Sequence, residues 1–326
     1  MDILCSYYFY GGEIDMGIKS MKDPRKALKT PLRYPGGKSR ACTKMDPYFP
    51  DLRNYVEFRE PFLGGGSVAI HISKKYPNLK IWVNDLYEPL VNFWSNLQMF
   101  GVELKDQLLD YKLTHNDPDS ARELFNNSKD LLGKTSESSI DRAVAFYIVN
   151  KCSFSGLTES SSFSSQASNS NFSVRGIEKL PGYSEIISNW NITNYSYDYI
   201  MEQQIHDDLF VYLDPPYDIK DNLYGHKGSM HKKFDHDRFA ADCDARKIDM
   251  MISYNSDQLV KDRFKTGWTA AEFDLTYTMR SVGEYMRDQK ERKELLLMNY
   301  EDKPKIQLNF DGCYKYGRLK KEGLVE

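Results

Sequence analysis

The chain has 326 residues, a length that suits one large domain with an inserted subdomain, or two domains. Its net charge of -3 gives no overall basic excess, although a local basic face for nucleic acid stays open. Five scattered cysteines without a CxxC pair, together with the lack of a long apolar run or secretion signal, exclude a disulfide framework, a cysteine zinc site and a membrane protein. We therefore expect a cytoplasmic, reducing compartment.

The first predicted feature is a tight turn that follows an irregular leader over residues 1–30. The stretch 19–40 is rich in lysine and arginine, which predicts either a solvated charge run or a phosphate-facing arm. Within it, Tyr34-Pro35-Gly36-Gly37-Lys38 predicts a turn whose glycines let the backbone approach a ligand closely. Lys38 would then project near that ligand.

A strand, a glycine-rich turn, a helix and a second strand are predicted next. The strand covers residues 54–60, the helix 68–76 and the second strand 79–83, and Glu60-Pro61-Phe62-Leu63-Gly64-Gly65-Gly66-Ser67 joins the first two. Asp85 follows about 20 residues after the glycines, the spacing at which a carboxylate meets ribose hydroxyls. Because the glycines are consecutive rather than GxGxxG, a nucleoside cofactor or a plain crossover is favoured over a dinucleotide.

The middle of the chain changes character at Lys151. Residues 87–150 carry apolar side chains at helical spacing and predict core-facing helices. The run from 153 to 175 is rich in Ser, Asn and Gly and predicts no regular element. It is either a low-complexity linker or a loop whose interleaved Phe154, Phe163 and Phe172 contact bases, sugars and phosphates.

A buried strand that ends in two prolines is predicted at 209–213. Its apolar sequence is typical of a parallel sheet, and Asp214-Pro215-Pro216-Tyr217 follows at once. Proline cannot donate to a strand ladder, so the strand stops there and holds a carboxylate, a carbonyl and an aromatic ring rigidly. The carboxyl ends of strands are where open α/β sheets bind ligands.

The remaining predicted elements flank this strand. A short strand is expected at 190–195, a polar loop at 218–233, a helix at 235–246 capped by Asp235, and strands at 248–255 and 294–300, with a basic loop at 278–293. His226, His231 and His236 have irregular spacing and no glutamate placed to complete a zinc set, so we expect no metal site.

In their order along the chain, the turn at 34–38, the turn at 60–67, Asp85 and the 214–217 segment resemble the motifs of the Dam-type (D12 class, alpha group) DNA adenine-N6 methyltransferases. Asn150-Lys151-Cys152-Ser153-Phe154-Ser155-Gly156 resembles that family's loop before the catalytic strand. Glu294-Leu295-Leu296 resembles its closing strand. Each motif is short, but their joint order and spacing are specific.

The resemblance implies an α/β fold with a Rossmann-like S-adenosylmethionine-dependent methyltransferase sheet and an inserted helical target-recognition subdomain. The catalytic domain would comprise residues 31–86 and 190–303, the insertion 87–189, the leader 1–30 and the tail 304–326. The implied activity is site-specific methylation of adenine N6 in double-stranded DNA, in a bacterial or phage-infected cell. No metal is implied, and a partner restriction endonuclease stays open.

The resemblance also implies roles for individual residues. The cofactor-binding set is Tyr34, Gly36, Lys38, Glu60, Pro61, Phe62, Gly64, Gly66, Asp85 and Asp214. The catalytic set, which holds the flipped adenine, is Asp214, Pro215, Pro216 and Tyr217. The DNA-contact set is Asn150, Lys151, Ser153, Phe154, Arg280, Lys290 and Arg292. The alternation of Ser and Phe over 153–172 departs from the Arg/Asn-rich loop of GATC enzymes, which leaves the target sequence open.

The chemistry of adenine explains why these residue types belong together. Adenine N6 is a poor nucleophile because its lone pair is delocalised into the ring. The Asp214 carboxylate and the Pro215 carbonyl could accept hydrogen bonds from both amino protons and stabilise charge that develops only in the transition state. Tyr217 offers a face on which a flipped-out base can stack. Positioning supplies most of the rate, so no metal or covalent intermediate is needed.

Two alternative functions stay open. The first is methylation of another planar amine, such as cytosine N4, an RNA adenine or a protein glutamine amide. Enzymes of that kind more often carry Ser or Asn at the first motif position, so Asp214 favours adenine. The second is a catalytically idle DNA-binding homologue, although the residues that the chemistry needs are all present. The glycine spacing and the lack of a placed histidine or lysine base disfavour a nicotinamide dehydrogenase.

Overall fold

A mixed seven-stranded sheet organises the part of the chain that the computed structural model describes, which comprises residues 24–136, 138–154, 161–203, 205–217, 234–274, 293–300, 307–308 and 314–315. The strand order is β3-β2-β1-β4-β5-β7-β6. The strands are β1 (Glu57–Glu60), β2 (Lys80–Asn84), β3 (Trp190–Thr193), β4 (Leu209–Leu213), β5 (Asp249–Asn255), β6 (Thr269–Asp274) and β7 (Lys293–Met298). A separate two-stranded ribbon joins β8 (Gln307–Leu308) to β9 (Tyr314–Lys315).

Strand direction brings the predicted motifs to one edge of the sheet. Strands β1 to β5 pair in parallel, with Glu57 opposite both Lys80 of β2 and Leu209 of β4. The carboxyl ends of β1, β2 and β4 therefore meet, and each is followed by a predicted motif. Strand β7 runs antiparallel to β5, with Asn255 opposite Glu294, so the start of β7 lies at this same edge. The topology confirms the predicted Rossmann-like α/β sheet.

Helices cover the sheet and fill the connection between β2 and β3. In chain order they are α1 (Cys42–Met45), α2 (Ser67–Lys75), α3 (Glu88–Thr114), α4 (Pro118–Leu132), α5 (Ser139–Cys152), α6 (Ser165–Ser170), α7 (Val174–Ile177), α8 (Leu180–Ile186), α9 (Tyr197–Glu202), α10 (His236–Asp244) and α11 (Gln258–Arg263). The cap predicted for the helix after residue 234 is confirmed, because the Asp235 carboxylate accepts from the Arg238 N–H at 2.9 Å.

The helical insertion shares its core with the sheet. Trp94 of α3 and Trp190 of β3 are both buried, and their ring centroids lie 5.7 Å apart. The Trp94 indole donates to the Gly64 carbonyl at 3.2 Å, and the Trp190 indole donates to the Ser73 hydroxyl of α2 at 2.8 Å. Satisfied indoles of this kind allow large rings to be buried. The first part of the insertion is thus fixed directly against the glycine-rich turn.

The serine-rich run contains two short helices, so the prediction of no regular element there was wrong. Ser164 caps α6 by accepting from the Ala167 N–H, and Ser173 caps α7 by accepting from the Gly176 N–H, each at 3.2 Å. Serine competes well for such orphan N–H groups at helix starts. Phe172 is buried against Tyr147, which makes it a core residue rather than the base contact predicted from the sequence.

Several predicted features lie outside the described residues. They include residues 1–23 of the leader, the loop at 218–233 with His226 and His231, and residues 275–292 with Arg280, Lys290 and Arg292. Within the described ranges, no helix combines the length and apolar character needed to cross a bilayer.

Candidate active site

One cavity of about 370 Å³ opens at the carboxyl end of the parallel strands. It is lined by residues 34–38, 60–68, 85–86, 195–198 and 214–217, together with Phe234 and Arg238. All of the predicted catalytic and cofactor-binding residues thus line one cavity. The stretch 195–198 after β3, Phe234 and Arg238 were not predicted as site residues.

The glycine-rich turn is clamped between two aromatic rings. Gly64 and Gly66 have φ of 48° and 65°, in the left-handed region that side chains avoid. A Cβ on Gly64 would lie 2.8 Å from the Tyr34 ring, and a Cβ on Gly66 would lie 2.7 Å from the Trp94 ring. Thr30 also donates its hydroxyl proton to the Gly65 carbonyl at 2.5 Å. The sequence needs glycine here for both conformation and space.

Asp85 ties this turn to the start of α3. One carboxylate oxygen accepts from the Gly64 N–H and the other from the Tyr87 N–H, both at 2.9 Å. Its side chain is almost fully buried, and burial raises the pKa of Asp85 to about 6 although these N–H donors oppose the shift. Each oxygen accepts one of these bonds and retains a further lone pair, so the carboxylate could also accept from a ligand's hydroxyl groups.

The Asp214 carboxylate is held by a lysine and a serine. Lys38 Nζ lies 2.8 Å from both oxygens, and the Ser253 hydroxyl donates to Oδ1 at 2.8 Å. Oδ1 thus accepts from two donors and Oδ2 from one. Burial raises the pKa of Asp214, and the negative charge of Glu294 adds to the rise, whereas Lys38 and Ser253 oppose it.

Lys38 is the cation at the centre of this site. Its side chain is only 3% exposed, and its ammonium also reaches the Gly36 carbonyl at 3.0 Å and the Tyr217 hydroxyl at 2.8 Å. A buried ammonium is tolerable only when it is paired and hydrogen-bonded. Lys38 therefore joins the turn at 34–38 to the strand end at 214–217.

Glu294 is a site residue that sequence reasoning missed. It is 1% exposed, it accepts from the Tyr217 hydroxyl at 2.5 Å, and Lys38 Nζ lies 3.3 Å from its carboxylate. It reaches the site because β7 pairs with β5. The available signal was one acidic residue at the start of the buried run Leu295-Leu296-Leu297.

Glu60 adds a second buried acid at the end of β1. It lines the cavity with 3% of its surface exposed, and its Oε2 atom has no hydrogen-bond partner among the described residues. Burial raises the pKa of Glu60 well above its usual value, and the nearby charge of Asp214 reinforces the shift. A buried, unpartnered carboxyl oxygen is suited to a cationic group of a ligand.

Aromatic and charged side chains form the other wall. Phe62 stacks on Tyr197 with ring centroids 5.4 Å apart, and Phe234 packs edge-on against Phe62 at 5.8 Å. At the rim, the Arg238 guanidinium donates to Asp198 at 2.8 Å. This wall is apolar inside and charged outside, as expected for a pocket that takes a planar ligand.

The described members of the predicted DNA-contact set divide into two groups. Asn150 and Ser153 have no exposed surface. The Asn150 side chain accepts from the Arg33 N–H and donates to the Arg33 carbonyl, and the Arg33 guanidinium donates to the Ser153 carbonyl. These bonds hold the backbone just before the turn at 34–38. Phe154 is 54% exposed. Lys151 is partly exposed and lies 5.1 Å from the Tyr147 ring, and burial with the nearby Arg33 charge lowers the pKa of Lys151 to about 7.

No cluster of three or more His, Cys, Asp or Glu side chains suited to a metal ion occurs within the described ranges. The Asp85 and Asp214 carboxylates of the cavity accept hydrogen bonds from lysine, serine and backbone N–H groups. The site is thus built for positioning by hydrogen bonds and charge.

Comparison with known proteins places the chain in a family. Type II methyltransferase M.MjaIII of Methanocaldococcus jannaschii is 23% identical over 292 residues, which cover 84% of this chain and 99% of that protein. Type II methyltransferase M.CviBI of Paramecium bursaria Chlorella virus is 23% identical over 283 residues, which cover 84% of this chain and 100% of that protein. An rRNA methyltransferase aviRa structure from Streptomyces viridochromogenes is 13% identical, with a TM-score of 0.34 and coverage of 87% and 96%.

The family assignment comes from the sequence profile. The profile of the D12 class N6 adenine-specific DNA methyltransferases matches residues 34–279, well over half of the chain. The match runs from the Tyr34 turn past the 214–217 segment, so it includes the motifs that converge on the cavity. The chain belongs to the D12 class N6 adenine-specific DNA methyltransferase family.

Proposed function

We propose that this DNA methyltransferase transfers the methyl group of S-adenosylmethionine to N6 of a flipped-out adenine in double-stranded DNA, within a specific target sequence. The observation that carries the proposal is the Asp214 carboxylate, fixed by Lys38 and Ser253 at the cavity wall with 20% of its side chain exposed. An acceptor held in this way can accept a hydrogen bond from an amine that enters the cavity.

Asp214 and Pro215 would prepare the amine for attack. The carboxylate would accept a hydrogen bond from one N6 proton and the Pro215 carbonyl from the other, which draws the nitrogen lone pair out of the ring. Both acceptors gain strength as positive charge develops on nitrogen, so they stabilise the transition state more than the ground state. N6 itself would attack the methyl carbon as the bond from that carbon to sulfur breaks, and the surplus proton on the methylated nitrogen would pass along its hydrogen bond to the Asp214 carboxylate. No enzyme nucleophile takes part.

Tyr217 would hold the target base. Its ring stacks on Tyr254 at 5.9 Å, and its hydroxyl is fixed between Lys38 and Glu294. A base cannot reach the Asp214 oxygens inside a duplex, so it must be turned out of the helix. Stacking on an aromatic ring is worth about 1–3 kcal/mol per base and would offset part of that cost.

The remaining cavity residues fit the methyl donor. Asp85 retains acceptor capacity for the two ribose hydroxyls, and the unpartnered Glu60 oxygen suits the ammonium of the methionine end. The turn at 62–66 would approach the donor through its backbone. When bound, S-adenosylmethionine supplies a methyl group on sulfonium, which is a good leaving group. Lys151, Phe154, Arg280, Lys290 and Arg292 remain predicted to contact DNA, and Asn150 and Ser153, which have no exposed surface, would serve DNA binding through the backbone that they hold.

Direct analysis of the product tests this function. The purified chain is incubated with tritium-labelled S-adenosylmethionine and duplex DNA of mixed sequence, and the DNA is digested to nucleosides. We expect the label in N6-methyladenine, and the same fraction should be empty with Asp214→Ala. Label in N4-methylcytosine, or transfer to RNA alone, would contradict the proposal. Sequencing of modified bases in DNA from cells that express the chain would give the target sequence.

A further inference from the structure

Glu294 does not line the cavity but contacts two residues that do, Lys38 and Tyr217. The proposed methyl transfer gives it no contact with the base or the methyl donor. It stands near the start of β7, and its 1% exposure leaves it no access to a ligand in this arrangement. Its carboxylate accepts from the Tyr217 hydroxyl at 2.5 Å and lies 3.3 Å from Lys38 Nζ. A buried carboxylate with two such partners is costly to desolvate, so its presence needs a reason beyond packing.

We propose that Glu294 is a positioning residue for methyl transfer, which shares the Lys38 ammonium with Asp214 and locks the Tyr217 ring so that Asp214 keeps an open lone pair for the target amine. This inference rests on the proposed function. It assigns to Glu294 no contact with the base or the methyl donor.

The hydrogen bonds of Asp214 show what has to be kept open. A carboxylate offers about four lone-pair positions. Lys38 engages both oxygens and Ser253 engages Oδ1, so one position on Oδ2 remains. An amine proton must use that position, and any closer hold of Lys38 on Oδ2 would weaken it as an acceptor.

Lys38 has more acceptors than protons. Its three N–H groups are divided among the two Asp214 oxygens, the Gly36 carbonyl, the Tyr217 hydroxyl and the Glu294 carboxylate, all within 3.3 Å of Nζ. Without the charge of Glu294, Asp214 would be the only carboxylate among the groups within 3.3 Å of this ammonium in the described part of the chain. Glu294 therefore draws Lys38 away from the acceptor that the reaction uses.

The charge of Glu294 acts on Asp214 in the same direction. The titratable and charged groups around Asp214 are Lys38, Glu60, Tyr212 and Glu294. Among them the negative charge of Glu294 raises the pKa of Asp214, whereas that of Lys38 lowers it. A carboxylate with a higher pKa is a stronger hydrogen-bond acceptor, which favours polarisation of the amine.

Tyr217 gains its orientation from the same carboxylate. Its hydroxyl donates to Glu294 and accepts from Lys38, while its ring rests on Tyr254. The two hydrogen bonds of the hydroxyl and the stacking on Tyr254 together hold the Tyr217 ring plane in one orientation. A stacking surface with a fixed plane holds a base in the attack geometry better than a rotating one.

The test is Glu294→Gln, which keeps the shape of the side chain and one acceptor oxygen but removes the charge. We expect kcat to fall by about 10- to 100-fold, the usual loss when a residue that orients a reacting group is changed, with KM for S-adenosylmethionine unchanged. The acid limb of the kcat–pH profile should move to lower pH, because the pKa of Asp214 falls without the nearby negative charge. A wild-type kcat and a wild-type acid limb would overturn the proposal.

Two further variants complete the test. Glu272→Gln is the matched control, because Glu272 lies on the neighbouring strand β6 and engages Lys261 and Ser256 rather than the site, so its kcat should equal that of the wild type. Tyr217→Phe removes the proton that Glu294 accepts, and in combination with Glu294→Gln its effect should be less than additive. If Glu294→Gln does not fold, a wild-type kcat for Tyr217→Phe overturns the proposal instead. Failure of the wild type to make N6-methyladenine would count against the proposed function alone.

Discussion

Lys38 and Asp214 lie 176 positions apart in the sequence, and the ammonium of one is 2.8 Å from both carboxylate oxygens of the other. This contact joins the turn before β1 to the end of β4. It unites two predicted motifs in one charge cluster, so the proposed acceptor for the target amine is tied to the wall of the proposed donor cavity.

Asp214→Ala should abolish methyl transfer while S-adenosylmethionine still binds. Removal of one preorganised group that stabilises a transition state typically costs about 10²–10³ in kcat, and here the Pro215 carbonyl alone cannot accept hydrogen bonds from both amino protons. Transfer of tritium to DNA measures the first expectation, and isothermal titration calorimetry measures the second. Turnover close to that of the wild type would remove Asp214 from the mechanism.

Lys38→Met should destabilise the fold in a pH-dependent way. Loss of one partner of a buried pair typically costs about 3–5 kcal/mol in the free energy of unfolding. Without Lys38 the pKa of Asp214 rises further above its unfolded value, so the folded state binds more protons. The loss of stability should therefore be smaller at low pH and grow as pH rises through that folded pKa.

Urea unfolding at several pH values measures this effect, and Lys75→Met supplies the control. Lys75 also pairs with a carboxylate, that of Asp46 at 2.9 Å, but its side chain is 41% exposed. Exposed pairs contribute about 0–1 kcal/mol, so this variant should lose little stability. Equal losses for the two lysine variants would show that burial of Lys38 carries no special cost.

Gly66→Ala should lower stability through both strain and a clash. Adoption of φ 65° by alanine costs roughly 1–2 kcal/mol, and the added Cβ would meet the Trp94 ring at 2.7 Å, which adds about 1–3 kcal/mol of overpacking. Gly267→Ala separates the two terms, because Gly267 has φ 81° but open space around it. We expect urea unfolding to show a larger loss of stability for Gly66→Ala than for Gly267→Ala. A similar loss for both variants would show that the clash with Trp94 contributes nothing.

Binding of S-adenosylmethionine should weaken as pH falls through about 6. Burial raises the pKa of Asp85 to about 6, and the proposed contact with ribose hydroxyls uses the charged carboxylate. The ligand would favour the ionised form, so affinity is full above this pKa and declines below it. Calorimetric titrations between pH 5 and pH 8 measure the slope, and Asp85→Asn should bind weakly with that slope removed. If affinity still declines with falling pH in Asp85→Asn, the pH dependence arises from another group.

Local patterns identified the elements that carry the cofactor half. The strand before the glycine-rich turn, the helix after it and the strand before Asp85 all lie within a few residues of their predicted bounds, because each depends on neighbours in the sequence. The strand at 209–213 was predicted with its observed bounds, since the two prolines end it. The order of these motifs along the chain pointed to the family, and the resemblance then implied the role of each residue.

Sequence reasoning missed some residues because their positions depend on the order of strands in the sheet or on side chains that cap helices. Ser253 approaches Asp214 because β5 pairs with β4, and Glu294 comes near it because β7 pairs with β5 in turn; this strand order has no local signature. The serine-rich run was misread because Ser164 and Ser173 serve as helix caps, a role that depends on the residues after them. Phe172 is buried against Tyr147, which lies in α5, and α6 stands between the two residues in the sequence.

The pairing of β1 with β4 also sets how much of the chain must be synthesised before the sheet can form. Glu57 pairs with Leu209, which leaves the ribosome 152 positions later (209 minus 57). At about 5–20 residues per second, roughly 8–30 seconds separate the two. During that interval β1 can gain β2 on one side only, and its other edge waits unpaired. A nascent chain that ends before Leu209 thus holds the glycine-rich turn and Asp85 but lacks β4 and the 214–217 segment. We therefore expect methyl transfer only from chains that have been synthesised beyond that segment.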